Sequence, residues 1–98
     1  MEQLDRTFTL AQLQAYVPVV RTARSYGAPL SPLKDTVLHL VEEVGEVVRA
    51  VRRNDAENLS EELADSLFYI LAAANAAQID LASALAQKEE RNRQRFGA

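Results

Sequence analysis

An all-α fold is the prediction for this chain, and three observations carry it. Apolar residues make up 48% of the 98 residues and charged residues 26%, the balance of a folded globule rather than of a disordered segment. Glycine and proline are scarce, with three of each. Apolar positions recur three and four residues apart in four successive segments separated by short polar breaks, which is the period of an amphipathic helix. Residues 1–98 therefore read as a single domain, a four-to-five-helix bundle small enough for homo-oligomerisation to complete its core.

Thr9 caps the first helix, whose inner face carries Leu10, Leu13, Val17 and Val20. Pro18 lacks a backbone N–H and clashes with the preceding turn, so a kink or restart is expected there before the helix ends near Ser25-Tyr26-Gly27. Residues 27–32 form the clearest loop. In it, Ser31 and Pro32 stand as N-cap and first helical residue of a second helix. That helix runs from Leu33 to about Arg53, and its stripe of Val37, Leu40, Val41, Val44, Val47, Val48 and Val51 is expected to be core. His39, Glu42, Glu43 and Glu46 fall on roughly the opposite side. Gly45 costs about 1 kcal/mol relative to alanine in a helix interior, which suggests close approach of another helix or a ligand.

Asn54 or Asp55 caps a third helix that carries Leu59, Leu63, Leu67, Ile70 and Ala74 and ends at about Ala77. Ala64, Phe68 and Leu71 widen its apolar arc, leaving Glu62, Asp65 and Tyr69 as a narrow polar strip. A helix covered on most sides predicts a homo-oligomer. Asp80 caps the fourth helix, and the short Gln78-Ile79 connection predicts that this helix is an antiparallel neighbour of the third. Its apolar track of Leu81 and Leu85 continues into Lys88, Asn92 and Arg95, so its far end is expected to border a polar cavity.

The chemistry is concentrated in two acidic signatures, Glu42-Glu43-Val44-Gly45-Glu46 and Glu61-Glu62-Leu63-Ala64-Asp65. Residues three apart on a helix are neighbours, roughly 5–6 Å between Cβ atoms, so Glu43 pairs with Glu46 and Glu62 with Asp65. If the two helices pack antiparallel with the pairs facing, four carboxylates meet. Such a cluster is stable only with cations among them, and oxygen-only ligands select a hard ion such as Mg²⁺. Acidic pairs at this spacing also occur on solvated helix faces; two pairs on consecutive helices beside broad apolar surfaces favour the cation site.

The other polar residues keep two readings at this level. Lys88, Arg91, Arg93 and Arg95 complement a helix C-terminus, and Glu89 can pair with Arg93, yet the inward track of Lys88, Asn92 and Arg95 would suit phosphate oxygens. Tyr69 is either a core tyrosine or a substrate contact beside the acids, and His39 reads as a polar helix residue.

The remaining composition excludes several classes. A net charge of −3 and a pI near 5.1 give no global attraction to nucleic acid or to an anionic membrane. No cysteine and one histidine leave no thiolate metal site and no typical zinc site. The absence of a signal-peptide pattern and of a membrane-spanning apolar run leads to the expectation of a cytoplasmic protein.

These residues resemble the all-α nucleotide pyrophosphohydrolases of the MazG type. An EExxE followed by an ExxD on the next helix stands here as Glu42 to Glu46 and Glu62 to Asp65, and the C-terminal pattern as Lys88, Asn92 and Arg95 before Phe96-Gly97. The resemblance runs from about Leu40 to Gly97. It implies Mg²⁺-dependent hydrolysis of a nucleoside triphosphate between the α and β phosphates, with Mn²⁺ as a possible substitute, in nucleotide-pool house-cleaning. By motif match, Glu43, Glu46, Glu62 and Asp65 would bind metal, Lys88, Asn92 and Arg95 would lie near the phosphates, and Tyr69 near the nucleotide. Glu42 would serve as general base or hold a further ion. The resemblance also implies a homodimer or homotetramer with a site partly shared between subunits. Phosphoribosyl-ATP pyrophosphohydrolase, with similar acidic motifs, is the alternative enzyme, and a non-catalytic helical oligomerisation module is the alternative of a different class. The chain has no tryptophan to stack on a base, and its N-terminal third matches nothing residue by residue.

Overall fold

In the computed structural model, residues 6–24 and 33–97 are described. They form four helices: α1 (Leu10–Arg24), α2 (Leu33–Arg52), α3 (Ala56–Ala76) and α4 (Leu81–Phe96). The loop expected at 27–32, including its Ser31 and Pro32 helix start, lies outside the described residues.

Local chemistry sets the helix boundaries. Thr9 Oγ1 accepts from the N–H of Gln12 at 3.1 Å while Gln12 Oε1 accepts from the N–H of Thr9 at 2.7 Å, a reciprocal cap that satisfies two donors at the start of α1. The helix continues through Pro18 as one element, so of the expected kink or restart the restart does not occur. Asp55 and Asp80 cap α3 and α4 by accepting from the N–H groups of Asn58 at 3.1 Å and Ser83 at 3.3 Å. Asn54, the other candidate cap, instead ends α2 with φ +52°, as its N–H bonds Val51 and that of Asp55 bonds Ala50. The α3–α4 turn repeats this geometry on Gln78 at φ +58°, with Gln78 N–H on Asn75 and Ile79 N–H on Ala74.

Three residues join α2 to α3, and the two helices pack along their length, which makes them an antiparallel hairpin. Buried Thr36 and Ala50 on α2 and buried Ser66 on α3 let the backbones come close. The hydrophobic core lies on another side of α3, where Leu71 meets Leu13 and Val17 of α1, with Leu10, Tyr16, Phe68, Ala72 and Leu81 around them.

Gln14 ties this corner together. Its side-chain amide donates to Asn75 Oδ1 at 3.1 Å and to the Ile79 carbonyl at 2.6 Å, its oxygen accepts from the N–H of Leu81 at 3.1 Å, and Asn75 returns a bond to the Gln14 carbonyl at 3.0 Å. The knot fixes α1, the end of α3 and the start of α4 against one another.

Two expectations are corrected here, on the path of α4 and on the α2 stripe. The chain turns by 101° between α3 and α4, so α4 does not return antiparallel along α3; it packs against α1, held by the Gln14 bonds. The α2 stripe is not core within one chain: Val37, Val41, Val44, Val48 and Val51 are exposed, Val41 by 63%, while Leu40 and Val47 are half-buried. α2 meets α3 with its Thr36, Glu43 and Ala50 face, and the valines lie one position further round. Gly45 has nothing within 4 Å of where its Cβ would stand, so no close approach among the described residues explains it. Among the described residues, no single helix is long and apolar enough to cross a membrane.

Candidate metal and nucleotide site

The hairpin seam brings carboxylates from both helices together. On α2, Thr36, Glu43 and Ala50 recur at seven-residue spacing, and on α3, Glu62, Ser66 and Tyr69 recur at four and three, so each set lies along one helix face. Glu43, Glu62 and Asp65 each place a carboxylate oxygen within 4.8 Å of the others. Glu43 and Glu62 are half-buried, and Asp65 is exposed at the rim.

Like charge so close resists full ionisation. The Glu43 carboxyl is pushed up to about 7, first by a hydrogen bond shared with Glu62, then by burial, then by the negative charges of Glu62, Asp65 and Glu46. A proton shared by Glu43 and Glu62 relieves the same repulsion that a cation bound among the three carboxylates would relieve. Oxygens bound to one Mg²⁺ at 2.0–2.1 Å stand at most about 4.2 Å apart, so a small side-chain adjustment would bring this all-oxygen set onto one hard ion. The residues present therefore fit a divalent cation.

Not every expected residue joins this group. Glu46 is half-buried and its carboxylate lies 3.2 Å from Arg49 of its own helix, although its charge reaches Glu43. Glu42 is exposed, with a carboxylate oxygen 3.8 Å from His39 Nδ1. Tyr69 is half-buried and stacks on His39, the ring centroids 5.6 Å apart and the planes 21° from parallel. Sequence reasoning gave His39 no role. The signal was present, because His39 precedes Glu43 by one turn while Tyr69 follows Asp65 by one turn, which places both rings on one side of the acids in an antiparallel hairpin.

Lys88, Asn92 and Arg95 stand on α4, away from the hairpin that holds the acids. Lys88 and Arg95 are exposed, Asn92 is half-buried, and the Arg95 guanidinium lies 5.1 Å from the Phe96 ring centroid. Among the described residues, no ion pair or side-chain hydrogen bond joins these three to the carboxylates. Arg93 pairs with Glu90 at 3.8 Å rather than with Glu89. Ser66, buried on the same α3 face between Glu62 and Tyr69, has no hydrogen-bond partner for its Oγ.

Together these features define the class: an all-α protein whose helical hairpin gathers three carboxylates in its seam. The family model of the MazG nucleotide pyrophosphohydrolase domain matches residues 32–96, and the chain belongs to that family. A phosphoribosyl-ATP pyrophosphatase from Methanosphaerula palustris is 41% identical over 54 residues, which are 55% of this chain and 54% of that protein. The chain thus matches about half the length of this curated relative. No solved structure matches the chain significantly.

Proposed function

We propose that this protein is a Mg²⁺-dependent nucleoside triphosphate pyrophosphohydrolase that releases a monophosphate and pyrophosphate, and that it acts in house-cleaning of the nucleotide pool. The carrying observation is the convergence of Glu43, Glu62 and Asp65, in a chain of this family, on a point where their mutual repulsion raises the proton affinity of Glu43. Glu43, Glu46, Glu62 and Asp65 would hold the cation, which for Glu46 requires giving up its contact with Arg49. Bound there, Mg²⁺ or Mn²⁺ would neutralise triphosphate charge and polarise the attacked phosphorus. Glu42, exposed to solvent beside His39, would take the proton of the attacking water as the water oxygen bonds to the α-phosphorus and the bond to the departing pyrophosphate breaks. Tyr69 contacts the nucleotide, and Lys88, Asn92 and Arg95 bind phosphate oxygens.

The placement of α4 supports a shared site. Its cations are remote from the acids of their own hairpin, and a homodimer or homotetramer that covers the exposed valine face would let one protomer's α4 serve another's carboxylates. The proposed location is the cytoplasm.

A second reading is favoured by the Methanosphaerula palustris relative: hydrolysis of phosphoribosyl-ATP, which the same carboxylates would serve here. Product analysis separates the two. The protein is incubated with Mg²⁺ and a panel of normal and modified nucleoside triphosphates plus phosphoribosyl-ATP, with Glu62→Gln as control. Monophosphate and pyrophosphate from the triphosphates, lost in the control by at least about 100-fold, is the expected result. Turnover of phosphoribosyl-ATP alone selects the second reading, and no turnover of any compound rejects both.

A further inference from the structure

Resting on the proposed triphosphate reading, we infer that the ring of His39, backed by Tyr69, is the surface on which the substrate's nucleobase lies. One face of the His39 ring stacks on Tyr69, yet its side chain is 51% exposed, so the opposite face is open. The stack lies one turn, about 5.4 Å, along the seam from the carboxylates, a distance a ribose can bridge when the phosphates sit at the acids. An anionic group is a poor occupant beside Glu42, whose carboxylate is 3.8 Å from His39. A flat aromatic group is a good one, because stacking needs no charge and tolerates any base.

Elimination points the same way. α2 carries no other aromatic residue, and the chain has no tryptophan. Among the described residues, Tyr16 and Phe68 are committed to the core, Phe8 stands before α1, which packs on α3 and α4, and Phe96 lies at the far end of α4. His39 and Tyr69 are the aromatic pair placed beside the acids.

His39 is the single histidine of the chain, so its ring protons form a one-site reporter in proton NMR. The 98-residue chain with Mg²⁺ is titrated, at one fixed pH, with α,β-methylene analogues of ATP and CTP and with tripolyphosphate, while phosphorus lines report binding. The inference predicts upfield ring-current shifts of the His39 protons with both nucleotides, larger for the purine, and none of that kind with tripolyphosphate. In kinetics, His39→Ala raises KM for nucleoside triphosphates about 5- to 100-fold, and His39→Phe recovers most of that loss. A variant that binds tripolyphosphate as wild type does rules out a misfolded site. Bound nucleotide with unmoved His39 lines, or equal shifts with tripolyphosphate, overturns the inference while leaving the proposed function standing. Unmoved phosphorus lines for every nucleotide overturn both.

Discussion

Glu43 is where the chemistry of the site is already expressed in one residue. Its carboxyl titrates near 7 in the folded chain against an ordinary 4.5, because it shares a proton with Glu62 and faces the charges of Asp65 and Glu46. The folded state therefore binds that proton more tightly than the unfolded state. The stability it contributes is fully present below about pH 4.5 and is lost as the pH rises through about 7. Urea unfolding of the metal-free protein is expected to show a decline across this window on the order of 1 kcal/mol, once solvent screening of a half-exposed site is counted. Glu43→Gln keeps a hydrogen-bonding side chain without the charge and should flatten the slope; an unchanged slope would mean that the shared proton resides elsewhere. Mg²⁺ competes with the same proton, so its stabilising effect on the wild type should grow over the same interval. Asp65→Asn follows the same logic at the rim: catalysis falls at least about 100-fold while melting stays equal or rises, since a repelling charge has been removed.

At the scale of the elements, the polar knot and the turns decide how α4 leaves α3. Gln14→Leu removes three bonds at once and leaves part-buried Asn75 and Leu81 groups without partners, a loss of about 2–4 kcal/mol readable in denaturant midpoints. Gln78 has φ +58°, where glycine is unstrained, so Gln78→Gly should instead stabilise by about 0.5–1 kcal/mol. These two positions also show what the sequence conceals. Thr9, Asp55 and Asp80 were legible as caps because capping is chemistry within three residues of the chain. A turn on glutamine carries no such signal, and Gln14 and Asn75 are 61 residues apart, so neither the knot nor the 101° turn it holds could be read locally. The acids were legible as a group, since helical spacing alone puts Glu43 with Glu46 and Glu62 with Asp65. Which of them would converge was not, because the choice of Arg49 by Glu46 is made by side-chain rotamers.

For the whole molecule, the question is what covers the outer face of the hairpin. The exposed residues Val37, Val41, Val44, Val48 and Val51 lie one position past the α2 seam residues, and Leu63, Leu67 and Ile70 lie one position past those of α3. In an antiparallel hairpin the same step turns both helices to the same side, so eight apolar side chains form one continuous face. Periodicity identified that face correctly as apolar and misassigned its cover, because a hydrophobic stripe does not record whether its partner belongs to the same chain. The radius of gyration, 15.2 Å against about 13 Å for a compact domain of this length, agrees with a protomer whose core is unfinished. Two experiments test a second copy as the cover. Sedimentation equilibrium should show a dimer or tetramer, and Val41→Asp should shift it to a smaller species with a lower melting temperature that no longer rises with protein concentration. A wild type that stays monomeric would remove the proposed assembly. Complementation then asks whether the site is shared. Asp65→Asn lacks a carboxylate of the hairpin and Arg95→Ala lacks a cation of α4, so each is expected to be inactive alone. If one protomer's α4 serves the other's acids in a dimer, refolding the two variants together places one intact site in each mixed dimer. Mixed dimers make up about half of a random mixture and carry one good site of two, so about a quarter of wild-type activity should return. If each chain completes its own site, every site keeps one lesion and nothing returns.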